Sequence, residues 1–455
     1  MLRVSKVLLT IFLGALVVLP GQAQTARNIR VDYKETVLKN GLRVITVEDP
    51  SAPVLAICIT YNVGSRNERH GRTGFAHLFE HMMFKGSENV GSGEHFLLVF
   101  NNGGNMNGTT NEDRTNYFEA LPSNQLDLAL FLEADRMRSL AITRDNLDNQ
   151  RNAVQEERRL GLDNQAYGKS GEIQQELIYD NFAYKHTTIG SMEDLNAAGV
   201  DDVAAFFKMY YAPNNAVLTL VGNFKTAEAL AKIRANFESI PRQPDPPTVD
   251  MTEPQQKSER RTSVDDQLAR VPRVDIAYKA VAGNTPDFYA LQVLSAALQG
   301  GQSSRLYQKL VKEKEIVTNV FGFMDEKRGV GALYTSATLR PGIKTEDVEA
   351  AIYGEIDRLK TEPIADWELQ KAKNTTRRSF ITSLQSSLAR AVTMGQYTVY
   401  YNEPNLMNTR LDKVAAVTKE DVQRVANKYL ADTNRTVVVT MPKARSKSAT
   451  GASGQ

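Results

Sequence analysis

The stretch DVAAFFKMYYAPNNAVLTLVG, residues 202–222, decides the fold prediction because a later stretch, DVQRVANKYLADTNRTVVVTM at residues 421–441, repeats its pattern. Each stretch has the pattern of a helix, a turn and an apolar strand rich in β-branched residues. Matching residues lie at a constant displacement of 219 positions: Asp202, Val203, Tyr210, Ala212 and Asn215 recur as Asp421, Val422, Tyr429, Ala431 and Asn434. The repeat predicts a duplicated domain, although two unrelated helix–strand units would also explain one matched segment.

Composition separates the two copies. The chain has 455 residues, of which 42% are hydrophobic and 24% charged, a balance that suits more than one globular domain. The proline-rich segment PRQPDPPTVDMTEPQQKSERR predicts an extended linker over residues 241–258. We therefore expect a first domain at 24–240 and a second, homologous domain at 259–443. Strands mixed with long helices in each half predict the α+β class, with two mixed α/β domains.

The two ends of the chain differ in composition from the domains. Residues 1–23 predict a cleaved secretory signal peptide, because Arg3 and Lys6 precede an apolar run, Val7–Leu19, that is shorter than a membrane span. An uncleaved membrane anchor is the alternative interpretation. Residues 444–455 are small and polar, which predicts a disordered tail.

Charge and cysteine usage limit the class of protein. Removing residues 1–23 takes away Arg3 and Lys6, so the formal net charge falls from +2 to 0. A neutral chain argues against a nucleic-acid-binding protein. Cys58 is the only cysteine, so no intrachain disulfide forms and no later cysteine can carry a lipid. We expect export to a bacterial periplasm, with no stable membrane anchor after cleavage.

The stretch HLFEHMMFKG, residues 77–86, carries the strongest chemical signal. In a helix His77 and His81 lie on one face, one turn apart, so both imidazoles can bind one metal ion. Glu80 lies beside them, close enough to contact a water on that metal without being a ligand. This is a zinc-hydrolase arrangement in the order H-x-x-E-H, the inverse of H-E-x-x-H. The remaining histidines are expected to be structural or surface residues: His70, His95 and His186.

A third ligand must come from another segment, because a catalytic zinc usually takes three protein ligands. The stretch LDNQRNAVQEERRL, residues 147–160, contains two adjacent glutamates. Leu147, Gln150, Val154 and Glu157 form one stripe at helical spacing, whereas Glu156 is rotated by about 100° from it. We therefore choose Glu157 as the third ligand.

These motifs resemble those of a known enzyme family. The segment LKNGLRVITVEDPSAPVLAICITYNVGSRNERHGRTGFAHLFEHMMFKGS resembles the start of a pitrilysin-type inverzincin, the zinc peptidase family that includes mitochondrial processing peptidase and insulin-degrading enzyme. The similarity continues through NEDRTNYFEALP, NAVQEER, HTTIGSMEDL, YYAPNNAVLTLVG and GGQSSRLYQKLVKEK. The length resembles that of the half-size members, in which two chains form a clam-like pair around a chamber.

The resemblance implies roles for individual residues. It implies that His77, His81 and Glu157 bind Zn²⁺ and that Glu80 is the general base. It also implies that substrate lies along an edge strand at Asn107, Gly108 and Thr109, and the polar sequence around them is compatible with an edge strand.

Two departures from the family concern substrate and metal binding. Gln150 occupies a position where many relatives have a glutamate, so it contributes no negative charge beside the metal ligands. Relatives with a complete site supply an arginine and, seven residues later, a tyrosine from the second domain. Here Val311 and Thr318 stand at those positions, and nearby Arg305 belongs to the preceding SSRL segment. The stretch ALQVLSAAL, residues 290–298, corresponds to the metal helix and has no histidine.

The sequence therefore predicts one half of a divided active site. We expect a periplasmic zinc-dependent endopeptidase subunit that cuts short or unfolded peptides, with a homologous partner subunit, identical or different, supplying the missing arginine and tyrosine. A non-catalytic structural or assembly subunit is one alternative, and the missing pair favours it. A peptide-binding module that does not cut is the other.

Overall fold

The computed structural model describes residues 30–443, in which the chain forms eleven strands and fifteen α-helices. The predicted signal peptide and the predicted tail lie outside the described residues. Between residues 30 and 443, every helix is too short or too polar to cross a bilayer.

The first half is built on a six-stranded sheet with the order β1-β2-β6-β3-β5-β4. Its strands are Lys34–Val37 (β1), Arg43–Glu48 (β2), Val54–Tyr61 (β3), Asn105–Thr110 (β4), Thr115–Pro122 (β5) and Ala216–Gly222 (β6). Strands β2 and β6 pair in parallel, and the other neighbours are antiparallel. β3 and β6 are almost completely buried, as their continuous apolar sequences require. Strand β4 is left at the edge.

Nine helices accompany this sheet in residues 30–240. They are Phe75–Met82 (α1), Glu94–Asn101 (α2), Leu126–Arg138 (α3), Arg144–Arg158 (α4), Gly168–Ile178 (α5), Phe182–Lys185 (α6), Met192–Asn196 (α7), Val200–Tyr210 (α8) and Thr226–Phe237 (α9). Apolar side chains of α1, α3, α8 and α9 form one core with the sheet. Helix α1 lies against α4 and against the edge strand β4, so one helix meets both of the segments that the sequence singled out.

The second half repeats this plan with five strands in the order β7-β11-β8-β10-β9. The strands are Arg260–Asp266 (β7), Arg273–Ala282 (β8), Val317–Met324 (β9), Val330–Leu339 (β10) and Arg435–Pro442 (β11). The helices are Pro286–Gln299 (α10), Thr345–Thr361 (α11), Asp366–Ser383 (α12), Ser387–Tyr401 (α13), Leu406–Ala415 (α14) and Lys419–Tyr429 (α15).

The repeated sequence occupies equivalent places in the two halves. Residues 202–222 contribute most of α8 and all of β6, and residues 421–441 contribute most of α15 and β11. Each repeated strand pairs in parallel with one neighbour and antiparallel with the other. The predicted fold class, two homologous mixed α/β domains, is confirmed.

Helix α13 crosses between the halves. Although it lies late in the sequence, it packs on β3, β5 and β6 of the first sheet, on the face opposite α1. A Cβ atom at Gly395 would lie 2.4 Å from Thr60 Oγ1, so only glycine allows this close approach. Cys58 is buried in the same layer with a free thiol.

The segment between α9 and β7 contains no helix or strand. It is nevertheless anchored, because the buried carboxylate of Glu253 accepts hydrogen bonds from the backbone of Asp180 and Asn181 and pairs with Lys279 at 2.5 Å. The linker limits of 241–258, and the domain limits that follow from them, stay predictions.

Candidate metal centre

The position of α1 is set at its first turn by Glu68. This buried carboxylate accepts hydrogen bonds from the N–H groups of Gly74, at 2.9 Å, and Ala76, at 2.7 Å, and it contacts His186 Nε2 at 2.9 Å. Gly74, with φ of 84°, adopts the left-handed conformation that begins the helix. A negative charge at a helix N-terminus is favourable. Glu68 therefore fixes the first turn of α1, up to the residue that precedes His77.

The Glu68–His186 pair is buried, and each partner changes the pKa of the other. Burial raises the pKa of Glu68, although His186 and the two N–H donors oppose this. Burial also disfavours the imidazolium of His186, but the hydrogen bond and charge of Glu68 outweigh that effect and raise its pKa. His186 was expected to be a structural or surface residue. In the structure it contacts Glu68, which in turn holds the start of α1.

Helices α1 and α4 bring His77, His81 and Glu157 together. Glu157 Oε2 lies 3.3 Å from His81 Nε2 and 3.6 Å from His77 Nε2. One ligand atom from each residue lies within 4.8 Å of those of the other two. Ligand atoms about 2.0–2.1 Å from a tetrahedral zinc are roughly 3.3 Å apart, so the three side chains fit such an ion.

The electrostatics suit metal binding. Burial, with a contribution from the charge of His81, lowers the pKa of His77 to about 4. Burial also lowers the pKa of His81, although Glu157 and Gln150 oppose the shift. Both imidazoles are therefore neutral near pH 7, which is the form that donates a lone pair to a metal. Gln150 lies beside the site, where it hydrogen-bonds to His81 and donates to Asn149 Oδ1 at 2.6 Å.

Glu80 lies on the same helix, buried between α1 and β4. Its Oε2 accepts a 2.6 Å hydrogen bond from Thr110 Oγ1. Burial raises the pKa of Glu80 to about 7, with Thr110 and Arg114 opposing and Glu157 adding to the shift. A carboxyl group with a pKa near neutrality can both accept and return a proton. The proposed roles of His77, Glu80, His81 and Glu157 stay predictions, and their placement is as those roles require.

The edge strand β4 runs directly past Glu80. A Cβ atom at Gly108 would lie 3.0 Å from Glu80 Cγ, so a larger residue would displace the carboxylate. The turn closes with a hydrogen bond from Asn111 N–H to the Arg114 carbonyl, and alternation along the ladder then directs the backbone of Gly108 to the free edge. Gly108 N–H donates to Asn107 Oδ1 at 2.9 Å, a bond that an incoming peptide carbonyl can replace.

The three predicted substrate residues thus differ in what they present. Gly108 offers its main chain to the free edge, whereas the main chains of Asn107 and Thr109 face β5 and their side chains are exposed. Their part in substrate binding stays a prediction. Sequence reasoning missed Thr110, although it lies two residues from Gly108 and so shares its face of the strand.

The second half lacks the corresponding ligands. At the displacement of 219, the residues equivalent to His77, Glu80, His81 and Glu157 are Ala296, Gln299, Gly300 and Thr376. Gln299 lies against Gly322 of the edge strand β9, as Glu80 lies against Gly108. Ala296, Gly300 and Thr376 line a cavity of about 530 Å³. The side chains at these positions of the second half are neutral, and two of them are as small as alanine or glycine.

The residues at the positions of the expected arginine and tyrosine, and the nearby Arg305, have other contacts. Thr318 is exposed on β9 and donates to the Thr338 carbonyl at 3.2 Å, and Val311 packs against the second core. Arg305 is held by Glu368 through two hydrogen bonds of 2.8 Å, so its guanidinium is already occupied. None of these three side chains offers a free guanidinium or phenol.

Comparisons with known proteins identify relatives of this chain. Residues 43–169 match the family described as Insulinase (Peptidase family M16), and residues 198–376 match the Peptidase M16 inactive domain. The zinc protease PqqE of Helicobacter pylori is 31% identical over 432 residues, which are 94% of this chain and 97% of that protein.

Solved structures show the same fold. The crystal structure of a protease from Helicobacter pylori superposes with a TM-score of 0.87 at 32% identity, covering 90% of this chain and all of that one. The periplasmic protease PqqL from Escherichia coli superposes with a TM-score of 0.73 at 18% identity, covering 91% of this chain and 48% of that one.

Proposed function

The chain belongs to the M16 (insulinase) peptidase family, and from that premise we propose that it is a zinc-dependent endopeptidase subunit acting on short or unfolded peptides in the periplasm. The observation that carries the proposal is the convergence of His77, His81 and Glu157, with Glu80 buried beside them. The predicted signal peptide supports the location, and the similar fold of PqqL, named a periplasmic protease, is compatible with it.

The chain's own residues account for the proton transfers. A zinc ion held by the two histidines and Glu157 would supply Lewis-acid chemistry, polarising a carbonyl and acidifying water. Glu80 takes a proton from the attacking water and returns it to the leaving amine, as its pKa near 7 permits. Thr110 fixes the orientation of the Glu80 carboxyl through its hydrogen bond.

The substrate is held by the edge of the first sheet. An extended peptide pairs with the outward-facing main-chain groups of Gly108 on β4, its carbonyl replacing Asn107 Oδ1 as the acceptor for Gly108 N–H, which places the peptide backbone next to Glu80. Main-chain pairing requires an unfolded segment and makes limited demands on side chains. This is the reason for proposing short or unfolded peptides as substrates.

We further propose that a homologous partner subunit completes the site. Val311, Thr318 and the occupied Arg305 leave the described part of this chain without the arginine–tyrosine pair that the resemblance leads us to expect. Peptidase activity should therefore be low for the purified chain and should rise when a homologous chain from a neighbouring gene is added. Equal activity of the two preparations would reject the partner.

The catalytic proposal is tested by Glu80→Gln. This variant should keep its zinc content, and its kcat should be about 10²–10⁴-fold lower than that of the wild type. A general base typically accelerates a reaction by that factor. A quenched fluorescent peptide measures the rate, and metal analysis measures zinc. Glu156→Gln is the matched control, because Glu156 is adjacent to a ligand but exposed and paired with Arg159. Near wild-type turnover of Glu80→Gln would reject Glu80 as the base.

A non-catalytic, peptide-binding or assembly subunit is the second candidate, and the missing arginine–tyrosine pair favours it. It predicts that peptides bind equally well with and without a chelator and that no products form. The peptidase proposal predicts that chelation abolishes cleavage and that added zinc restores it. The same peptide therefore separates the two candidates.

A further inference from the structure

Arg114 lies beside the edge strand, and no carboxylate among residues 30–443 forms an ion pair with it. Within residues 30–443, its Nη1 donates to the Thr109 carbonyl at 2.7 Å, to Thr109 Oγ1 and to Asn116 Oδ1 at 3.2 Å. Its Nε is buried and has no hydrogen-bond acceptor in the described residues, whereas Nη2 makes no hydrogen bond there and is not buried. The guanidinium is fixed in place by neutral oxygens alone.

The neighbouring acidic residues are already paired with other groups. Asp113 contacts Arg66 Nε at 3.1 Å and accepts a hydrogen bond from Tyr184 Oη. Glu112 pairs with Lys327 at 2.6 Å. The charge of Arg114 is therefore not neutralised by the two carboxylates that precede it.

The Arg114 guanidinium and Glu80 lie on opposite faces of β4. Thr109 pairs with Asn116, which pairs with Thr60, and Thr60 faces helix α13. Side chains that pair across strands share a face, so Thr109 and the Arg114 guanidinium lie on the α13 side. Gly108 lies on the α1 side with Glu80. A peptide paired with β4 thus directs alternate side chains towards the metal centre and towards Arg114.

We propose that Arg114 is a specificity-determining residue that binds a peptide carboxylate one residue away from the position opposite Gly108. The guanidinium is held through Nη1 and its Nε is buried, so the two N–H donors of Nη2 are the ones presented to a peptide carboxylate. The carboxylate can come from an Asp or Glu side chain or from the C-terminus of the peptide. This inference rests on the proposed peptide binding along β4, and it is independent of whether the peptide is then cut.

Peptide binding to the full-length, zinc-loaded Glu80→Gln protein tests the inference. Fluorescence anisotropy would compare C-terminally amidated peptides that differ only by Glu or Gln at each position in turn, and a neutral peptide with a free C-terminus. Glu at one position, or the free C-terminus, should bind about 10-fold more tightly than its neutral counterpart. The arm that shows the preference identifies the source of the carboxylate.

Variants then assign the preference to Arg114. Arg114→Gln should abolish it, and Arg114→Lys should keep part of it, because lysine retains the charge but loses the planar donors. Arg69→Gln is the control, since Arg69 is an exposed arginine paired with Asp202. A preference that persists in Arg114→Gln, or no preference in any peptide series, would overturn the inference.

The result is distinguishable from failure of the peptidase proposal. An Arg114-dependent preference in a protein that cleaves no peptide, even with the homologous chain added, would reject the peptidase and support this inference. Cleavage by the wild-type protein without any carboxylate preference would support the peptidase proposal and reject the inference about Arg114. Circular dichroism of Arg114→Gln and Arg114→Lys checks that the β4–β5 hairpin remains folded.

Discussion

Glu68→Gln is expected to destabilise the first domain and to weaken metal binding at the same time. Glu68 Oε2 accepts from Gly74 and contacts His186, whereas Oε1 accepts from Ala76. Glutamine has only one acceptor oxygen, so its amide NH₂ must face either the Ala76 N–H or both the Gly74 N–H and His186. Hydrogen bonds to a charged group contribute about 1.5–3 kcal/mol each. In the better orientation glutamine loses one of the three hydrogen bonds, and the other two lose their charged acceptor. The cost is therefore about 3–5 kcal/mol, the range found when one partner of a buried ion pair is removed.

Two measurements follow from this magnitude. Urea denaturation followed by circular dichroism gives the change in the free energy of unfolding, and a thermal scan should show a melting temperature lower by roughly 6–20 °C. Because Ala76 immediately precedes His77, we also expect zinc affinity to fall by about 10–100-fold in a competition with a chelator.

Glu94→Gln is the matched control for Glu68→Gln. Glu94 is an exposed acidic residue in the first turn of α2, and its Oε2 accepts a single 2.7 Å hydrogen bond from Gly91 N–H. Its replacement should cost at most about 1 kcal/mol and leave zinc affinity unchanged. Equal effects of the two variants, or an unchanged zinc affinity in Glu68→Gln, would refute the role assigned to Glu68.

Three further predictions concern residues around the same helix. Gly108→Ala should lower kcat by about 10–100-fold with zinc content unchanged, because the new Cβ displaces Glu80, and steady-state kinetics with metal analysis would show it. The wild-type protein should have a larger free energy of unfolding than His186→Gln. This difference should be greatest below pH 6.5 and should disappear as pH rises through the raised pKa of His186, and urea titrations across that range would measure it. Phe79→Ala should cost about 3–5 kcal/mol in urea denaturation, since Phe79 is fully buried.

Each of these has a result that contradicts it. Unchanged kinetics of Gly108→Ala would mean that Glu80 tolerates the added methyl group. A stability difference for His186→Gln that stays constant with pH would mean that the imidazole is not charged in the fold. A cost below about 1 kcal/mol for Phe79→Ala would mean that the first core relaxes to fill the space.

Local patterns in the sequence were enough to predict which side chains come together at the candidate metal centre. His77, Glu80 and His81 are related by helical geometry within one turn, and Glu157 follows from the apolar stripe of α4. The repeat likewise predicted the duplicated topology, because its helix and strand occupy equivalent places in both sheets. In each case the relation between residues depends on one helix or on one repeated unit.

Relations between distant segments could not be predicted in this way. The contact between Glu68 and His186 joins two loops whose approach depends on the packing of the whole domain. The outward direction of the Gly108 main chain depends on where the β4–β5 turn closes, and a shift by one residue would reverse it. The packing of α13 on the first sheet was missed because its amphipathic pattern does not specify which sheet it covers.

The crossing of α13 has a consequence for how the protein matures. Strands β3 and β6 carry an apolar layer, including Ala56, Cys58 and Val221, that packs largely against residues made much later in synthesis. During synthesis this surface lacks its main cover until Ser387–Tyr401 has been made, so we expect the N-terminal half to complete its packing only after that. Contacts so far apart in sequence slow folding, and the bare sheet is the surface that a holding chaperone would bind in the meantime.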